Sequence, residues 1–277
     1  MKTDIFQLQI VPIKDIYVHE EYDQSRAYPL VEGLKKEKQL VNPIIVAAIT
    51  GGKYIQLDGM NRYSAFKKLG LKSILCQIID YNDQESVELS SWSHLFSGEK
   101  EKLINFLTSD LNLTVKQGKF EFVGHRYIKE EGTGRLCTLC TKDGSVYLIS
   151  SSGNLMEKIE KLNRVVAYYA KQIVRDILPH HPNRGDVDFL FSEHQDTNMM
   201  IIFPTFTRHQ IVDIVKKNRL FPSGVTRHII RRRCLNIKAP LSLFDPKDSV
   251  EVQNDNLKKM LSSRSFRIYE EPTVYFE

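Results

Sequence analysis

Residues 55–63 read IQLDGMNRY: an apolar run stops on Asp58 and Gly59, and a polar stretch of helical character begins at once. A strand handing over to a helix through a glycine leaves the first N–H groups of that helix unpaired. It also aims the positive end of the helix dipole at the turn, an arrangement that favours a phosphate oxygen. Gly59 permits close approach, and Arg62 supplies a fork of donors suited to phosphate. Asp58, at the strand end, is placed to orient a metal or a proton. Asp-Gly-x-x-Arg alone is equally a capping aspartate followed by a surface arginine. The flanking sequence has to decide.

On the N-terminal side, NPIIVAAI (42–49) and KYIQL (53–57) are short apolar runs separated by a turn containing Gly51 and Gly52, as in a hairpin. On the C-terminal side, Tyr63, Phe66 and Leu69 share a helical face that ends at Gly70, and SILCQIID (73–80) reads as another strand. QLQIVPI (7–13) alternates like a strand, residues 15–23 form a polar turn, and Pro29 sits at the first position of a helix expected over 29–40. Residues 1 to about 82 thus form a mixed α/β unit of strands and short helices.

Beyond it, 83–120 reads as helix and connection around ESVELSSWSHLF, and 121–150 as strands with glycine-containing turns. Leu155, Ile159, Leu162, Val166, Tyr169 and Ile173 recur at spacings of 4, 3, 4, 3 and 4, which predicts one long helix over 155–178, stopped by Pro179 and Pro182. That pattern also suits a dimer seam, but without paired flanking charges a helix packed in its own domain is the plainer reading. A helix near 208–219 precedes a turn and strand-like residues in PSGVTRHIIRRRCLNIKAPLSLF (222–244).

A chain of 277 residues and 32.1 kDa is long enough for two modest domains. The division expected is 1–100 and 101–277. Hydrophobic content of 42% with 26% charged residues is that of a folded soluble protein. The N-terminus is too rich in charges for a signal peptide, and no apolar run approaches eighteen residues, so no membrane segment and a cytoplasmic location are expected. Four cysteines are too few for a disulfide framework. Cys137 and Cys140 have zinc-knuckle or redox spacing, yet no second CxxC supplies the other two ligands.

The net charge of +5 is uneven. Residues 1–100 carry 12 Lys and Arg against 13 Asp and Glu, whereas 208–238 carry nine basic residues against Asp213 alone. Something anionic is expected near that second segment.

VPIKDIYVHE, NPIIV and YIQLDGMNRYSAFKKLG, in that order and followed by a strand, resemble the ParB/sulfiredoxin-like nucleotide-binding fold over residues 7–82. Two later stretches, SSWSHLF (90–96) and the GVTRH segment (224–228), are similar to the hallmark segments of the free-serine kinases built on that fold. These include the archaeal ADP-dependent serine kinase and the serine kinase of the staphyloferrin B siderophore pathway. The resemblance runs intermittently from residue 7 to about 244. It implies an α+β (mixed α/β) architecture, with an N-terminal nucleotide-binding domain and a C-terminal α/β domain closing the cleft.

The implied activity is transfer of a phosphoryl group from ATP or ADP, with Mg2+, to free L-serine, giving O-phospho-L-serine. The product would feed a siderophore precursor such as diaminopropionate, or cysteine synthesis. The resemblance assigns the catalytic carboxylates to Glu20 and Asp58, the latter also the candidate metal ligand, with Glu21 as the neighbour competing for the base role. It places phosphate on Gly59, Met60, Asn61 and Arg62, and substrate on Trp92, His94, Thr226, Arg227 and His228. Asn61 stands where the relatives usually have histidine; it can donate a hydrogen bond to phosphate but cannot exchange a proton. The alternatives weighed are a ParB-like DNA-binding regulator, suited to the basic segment but lacking a convincing recognition helix between 83 and 150, and a nucleotide or metabolite sensor without turnover. Oligomeric state is not legible from these residues.

Overall fold

The computed structural model describes residues 6–21, 24–124 and 126–268. Two sheets organise it. The first has strand order β1-β6-β4-β5-β2, built from β1 (Gln7–Pro12), β2 (Ile16–Tyr17), β4 (Ile44–Ile49), β5 (Lys53–Asp58) and β6 (Ser73–Ile79). Pairs β1/β6 and β4/β5 are antiparallel, and β4/β6 and β2/β5 parallel, so the sheet is mixed. Alternation along β4 explains why it is buried on both faces. Ile44 and Val46 join a core with Val31 and Leu34 of α1 (Gln24–Glu37) and with Tyr63, Ala65 and Phe66 of α2 (Met60–Lys68). Ile45 and Ala47 face the other way, into a second core shared with the rest of the molecule. Helix α1 starts before the position expected for it and carries Pro29 in its interior.

The second sheet is antiparallel, with order β12-β8-β13-β10-β11-β9. Its strands are β8 (Ser93–Phe96), β9 (Thr114–Gly118), β10 (Gly134–Thr141), β11 (Val146–Ser151), β12 (Val174–Asp176) and β13 (Met199–Ile202). Helices α4 (Leu155–Tyr169) and α6 (Arg208–Lys216) cover it, with Ile159, Leu162, Val165, Ile211 and Ile214 in the larger core beside Ile45 and Leu57. The periodic helix ends at Tyr169, nine residues short of the expected end, because 170–172 tighten into a 3-10 turn and 174–176 pair with β8. The stretch expected as helix around residues 85–96 is two strands, β7 (Val87–Ser91) and β8, with α3 (Lys100–Asn105) following. Helix α5 (Arg184–Glu193) lies under a small third cluster.

Two short pairings tie distant sequence together: β7 with β14 (Thr226–Ile230), and β3 (Gln39–Leu40) with β15 (Ala239–Pro240). After β15 the chain returns to the first sheet. Helix α7 (Val250–Ser262) is capped by Ser249, and its Leu257 enters the core of α1 and α2 with Ala239 and Phe244. Asn254 of that helix accepts from the Ile10 backbone N–H (2.8 Å) and donates to the Ile10 carbonyl (2.9 Å) on the open side of β1. Among the described residues no helix is long and apolar enough to cross a membrane.

Candidate active site

Both expected carboxylates sit at the same end of neighbouring strands. Tyr17 pairs with Ile55 in the parallel β2/β5 ladder. Asp58 lies three residues further along β5, and Glu20 three residues past Tyr17, beyond the end of β2. The parallel pairing therefore puts both acids past the same end of neighbouring strands.

Glu20 meets the second basic segment directly. A short parallel bridge joins Glu20 to Phe221; the Phe221 N–H donates to the His19 carbonyl (2.8 Å) and Glu21 N–H to the Phe221 carbonyl (3.0 Å). From there the chain wraps the Glu20 carboxylate. Its Oε2 accepts from Gly224 N–H (2.9 Å), and its Oε1 from Thr226 N–H (2.7 Å) and the Thr226 hydroxyl (2.5 Å). Gly224 has φ 74°, and a Cβ there would collide with the Arg175 side chain, so the wrap needs glycine. Since Thr226 Oγ1 spends its one proton on Glu20, the contact with His19 Nε2 (2.8 Å) has the imidazole as donor. His19 Nδ1 is then left buried without a partner.

His228 packs edge-on against His19, with ring centroids 5.2 Å apart, and its Nε2 lies 2.9 Å from the Tyr81 hydroxyl. Loss of solvent around the ring holds its pKa well below the usual imidazole range, with positive charge from His19 and Arg208 adding to the effect. His228 is thus neutral. Arg227, next in line, lies over Trp92 with its guanidinium carbon 5.2 Å from the ring centroid. Desolvation lowers its pKa, Glu88 partly offsets this, and Arg233 adds to it. The Trp92 backbone N–H donates to the Val225 carbonyl (3.1 Å), which ties it to residues 221–228, the strap that wraps Glu20.

His94 lies elsewhere. It is fully buried, with Nε2 donating to the Gly224 carbonyl (2.7 Å) and Nδ1 facing the Tyr169 hydroxyl (3.3 Å). Burial pushes its pKa down to about 3. Both ring nitrogens are used within the protein, so His94 supports the Gly224 turn from beneath.

Asp58 ends β5, and Gly59 (φ 90°) starts α2 with no side-chain cap and no acid in the first turn. The helix N-terminus is open, with the Met60 and Asn61 backbone in its first turn. The Met60 side chain packs on the first core, so only its backbone can serve an anion. Arg62 is heavily committed: Nη1 donates to the carbonyls of Pro43 (2.7 Å) and Asn42 (3.3 Å), and Nη2 to Asp58 Oδ2 (3.0 Å). The same Asp58 oxygen takes Arg233 Nη2 at 3.0 Å. Strand β14 stops at Ile230, so the side-to-side alternation of a strand does not govern Arg231–Arg233.

The CxxC pair stays inside. Cys137 and Cys140 lie on β10, in two different core clusters, and burial pushes both thiols up to about 12. Among the described residues no group of three or more His, Cys, Asp or Glu could hold a metal ion unaided.

His19, Tyr81, Gly224 and Arg233 complete this site and were not expected in it. His19 could have been suspected from its place beside Glu20. The other three act through contacts across more than 140 residues, which no local pattern reveals.

Residues 2–94 match the family described as ParB N-terminal domain. The ATP-dependent L-serine kinase of Staphylothermus marinus is 28% identical over 234 residues, 80% of this chain and 84% of that protein. The ATP-dependent L-serine kinase SbnI of Staphylococcus aureus is 26% identical over 282 residues, 98% of this chain and 97% of that protein. The solved structure of C-terminally truncated SbnI superposes with a TM-score of 0.70 at 24% identity, covering 92% of this chain and 95% of that one. A free serine kinase in complex with AMP gives 0.64 at 17% identity, covering 86% and 93%. Residues 2–94 thus match the ParB N-terminal domain, most of the chain is similar in sequence to proteins named L-serine kinases, and its fold is that of the solved SbnI structure.

Proposed function

We propose that this protein is a free L-serine kinase, forming O-phospho-L-serine from L-serine and a nucleotide donor, ATP or ADP. The observation that carries the reading is the seating of Glu20 on Gly224 and Thr226. It joins the acids of the first sheet to the strap bearing Arg227, His228 and, through cation–π contact, Trp92. Relatives named L-serine kinases align across most of the chain, which supports the same assignment.

The roles follow from the contacts. Residues 1–100 hold the nucleotide, its phosphates at the open N-terminus of α2; residues 101–277 supply the strap that holds serine. Arg227 and Trp92 bind the amino acid, Arg227 taking its carboxylate. A carboxylate offers roughly four lone-pair sites, and Glu20 has three of them filled. The remaining one is on Oε2, and it receives the proton. Serine Oγ attacks the terminal phosphorus as its O–H proton passes to that oxygen. The new O–P bond forms while the bridging P–O bond breaks, its electron pair leaving with the nucleotide. His19 and Thr226 fix the base, and His94 fixes the turn that fixes Thr226.

A magnesium ion suits such a site when carried largely by the phosphates, with Asp58 Oδ1 as its protein ligand, since Oδ2 is taken by two arginines. It would neutralise charge on the phosphates. A cytoplasmic location, with free serine and nucleotide as partners, goes with this reading.

DNA binding is the weaker reading. Residues 87–91 and 93–96 are strands, and Arg208, Arg227 and Arg233 engage the Val87 carbonyl, the Trp92 ring and Asp58. Purified protein incubated with L-serine, magnesium and either ATP or ADP should yield O-phosphoserine by mass spectrometry. Glu20→Ala and Asp58→Ala should each lose it by at least about a hundredfold. Absence of product with either nucleotide refutes the reading, and a fully active Glu20→Ala removes the base.

A further inference from the structure

Arg62 is the arginine that the Asp-Gly-x-x-Arg pattern offers to phosphate, yet its guanidinium is engaged by two backbone carbonyls and Asp58. Those bonds tie the entrance of β4 to the start of α2. Turning Arg62 toward a ligand would release the Asn42 and Pro43 carbonyls. In this structure those bonds hold the turn.

Arg233 is built differently. It reaches the same Asp58 oxygen from outside the first sheet, three residues past the end of β14. It has no other polar partner among the described residues. Its side chain is 40% exposed, against 23% for Arg62, so its remaining donors face solvent beside the open N-terminus of α2. Arg233 follows β14, the strand that carries Arg227 and His228, and pairs with Asp58 at the start of α2, so it links the two segments. One guanidinium thus stands where donor and acceptor must meet, parked on a carboxylate that a phosphate can replace.

We propose that Arg233 is a phosphate-contacting residue of this kinase: on nucleotide binding its guanidinium leaves Asp58 Oδ2 for the oxygens of the terminal phosphates. It would then stabilise the charge of the group being transferred, and Asp58 would lose one of its two cations as the phosphates arrive. This rests on the kinase reading for its chemistry, but the phosphate contact can be measured without serine.

Calorimetric titration of ADP and AMP, with magnesium, into the full chain tests it. Arg233→Gln should weaken ADP by tenfold or more and AMP by less, leaving the melting temperature within about 2 °C because the exposed ion pair contributes little to stability. Arg233→Lys should fall between, a point charge replacing a fork. Arg231→Gln removes the same charge from an exposed neighbour and should stay within twofold of the parent. In turnover, Arg233→Gln should raise the KM for nucleotide and leave that for serine unchanged. Equal ADP affinity in parent and Arg233→Gln overturns the proposal, as does an equal loss in Arg231→Gln. If the parent binds ADP through Arg233 yet never phosphorylates serine, the kinase reading fails and the phosphate contact stands. If the parent phosphorylates serine and Arg233→Gln binds ADP normally, only this proposal fails; if the parent does not bind nucleotide, both fail.

Discussion

Gly59 shows how one residue ties the strand, the helix and the candidate phosphate site together. Its φ of 90° lies where side chains are rarely tolerated, and a Cβ would sit 2.7 Å from Ile44 Cγ2 and 3.1 Å from Arg62 Nε. Gly59→Ala should therefore destabilise the protein by about 1–3 kcal/mol, read as a lower midpoint in urea with unchanged slope, and should weaken ADP binding as the turn shifts. This glycine was legible in the sequence, because a strand pattern and a helix pattern abut there with nothing between. Glu20 and Asp58 were legible only through resemblance, since an acid in a turn looks the same whether it faces solvent or a substrate. His94, which the resemblance offers to substrate, is instead seen buried with both ring nitrogens used within the protein. Trp92 falls in the break between β7 and β8, so strand alternation does not relate it to His94, and only the packing of Tyr169 and Phe203 around the imidazole shows that it faces inward.

Elements were most readable where their own periodicity stabilises them, as in β4, β5, α2 and the first fifteen residues of α4. They were least readable where a distant partner decides. Strand β7 alternates only weakly and forms because β14, about 140 residues away, supplies its hydrogen bonds. Helix α7 was not expected at all: Leu257, Met260 and Leu261 make a short apolar face that matters only because the first core lacks a wall there. Leu257 is 1% exposed, so Leu257→Ala should cost about 2–5 kcal/mol, measured by chemical denaturation, although it lies far in sequence from the sheet it covers.

At the scale of the whole molecule, two desolvated histidines give stability a direction in pH. Folded His94 has its pKa near 3 against 6.5 for the free ring, and His228 is displaced the same way. Between those values the unfolded chain binds a proton that the folded chain refuses. The His94 contribution to stability is therefore complete above about pH 6.5 and falls as the pH drops toward 3, by up to about 1.4 kcal/mol per pH unit, and His228 acts in the same direction. Melting temperatures recorded from pH 7.5 to 4.5 should decline, and His94→Gln, which keeps a donor for Gly224 but cannot titrate, should decline less steeply. The outer rim of the first sheet has a different consequence. Among the described residues no strand pairs with the outer side of β1, where Pro12 offers no N–H and the amide of Asn254 occupies both polar groups of Ile10. A side chain thus imitates the missing neighbour. It denies incoming chains a template for fibril-like growth, so this boundary is sealed against self-association by one asparagine instead of another strand.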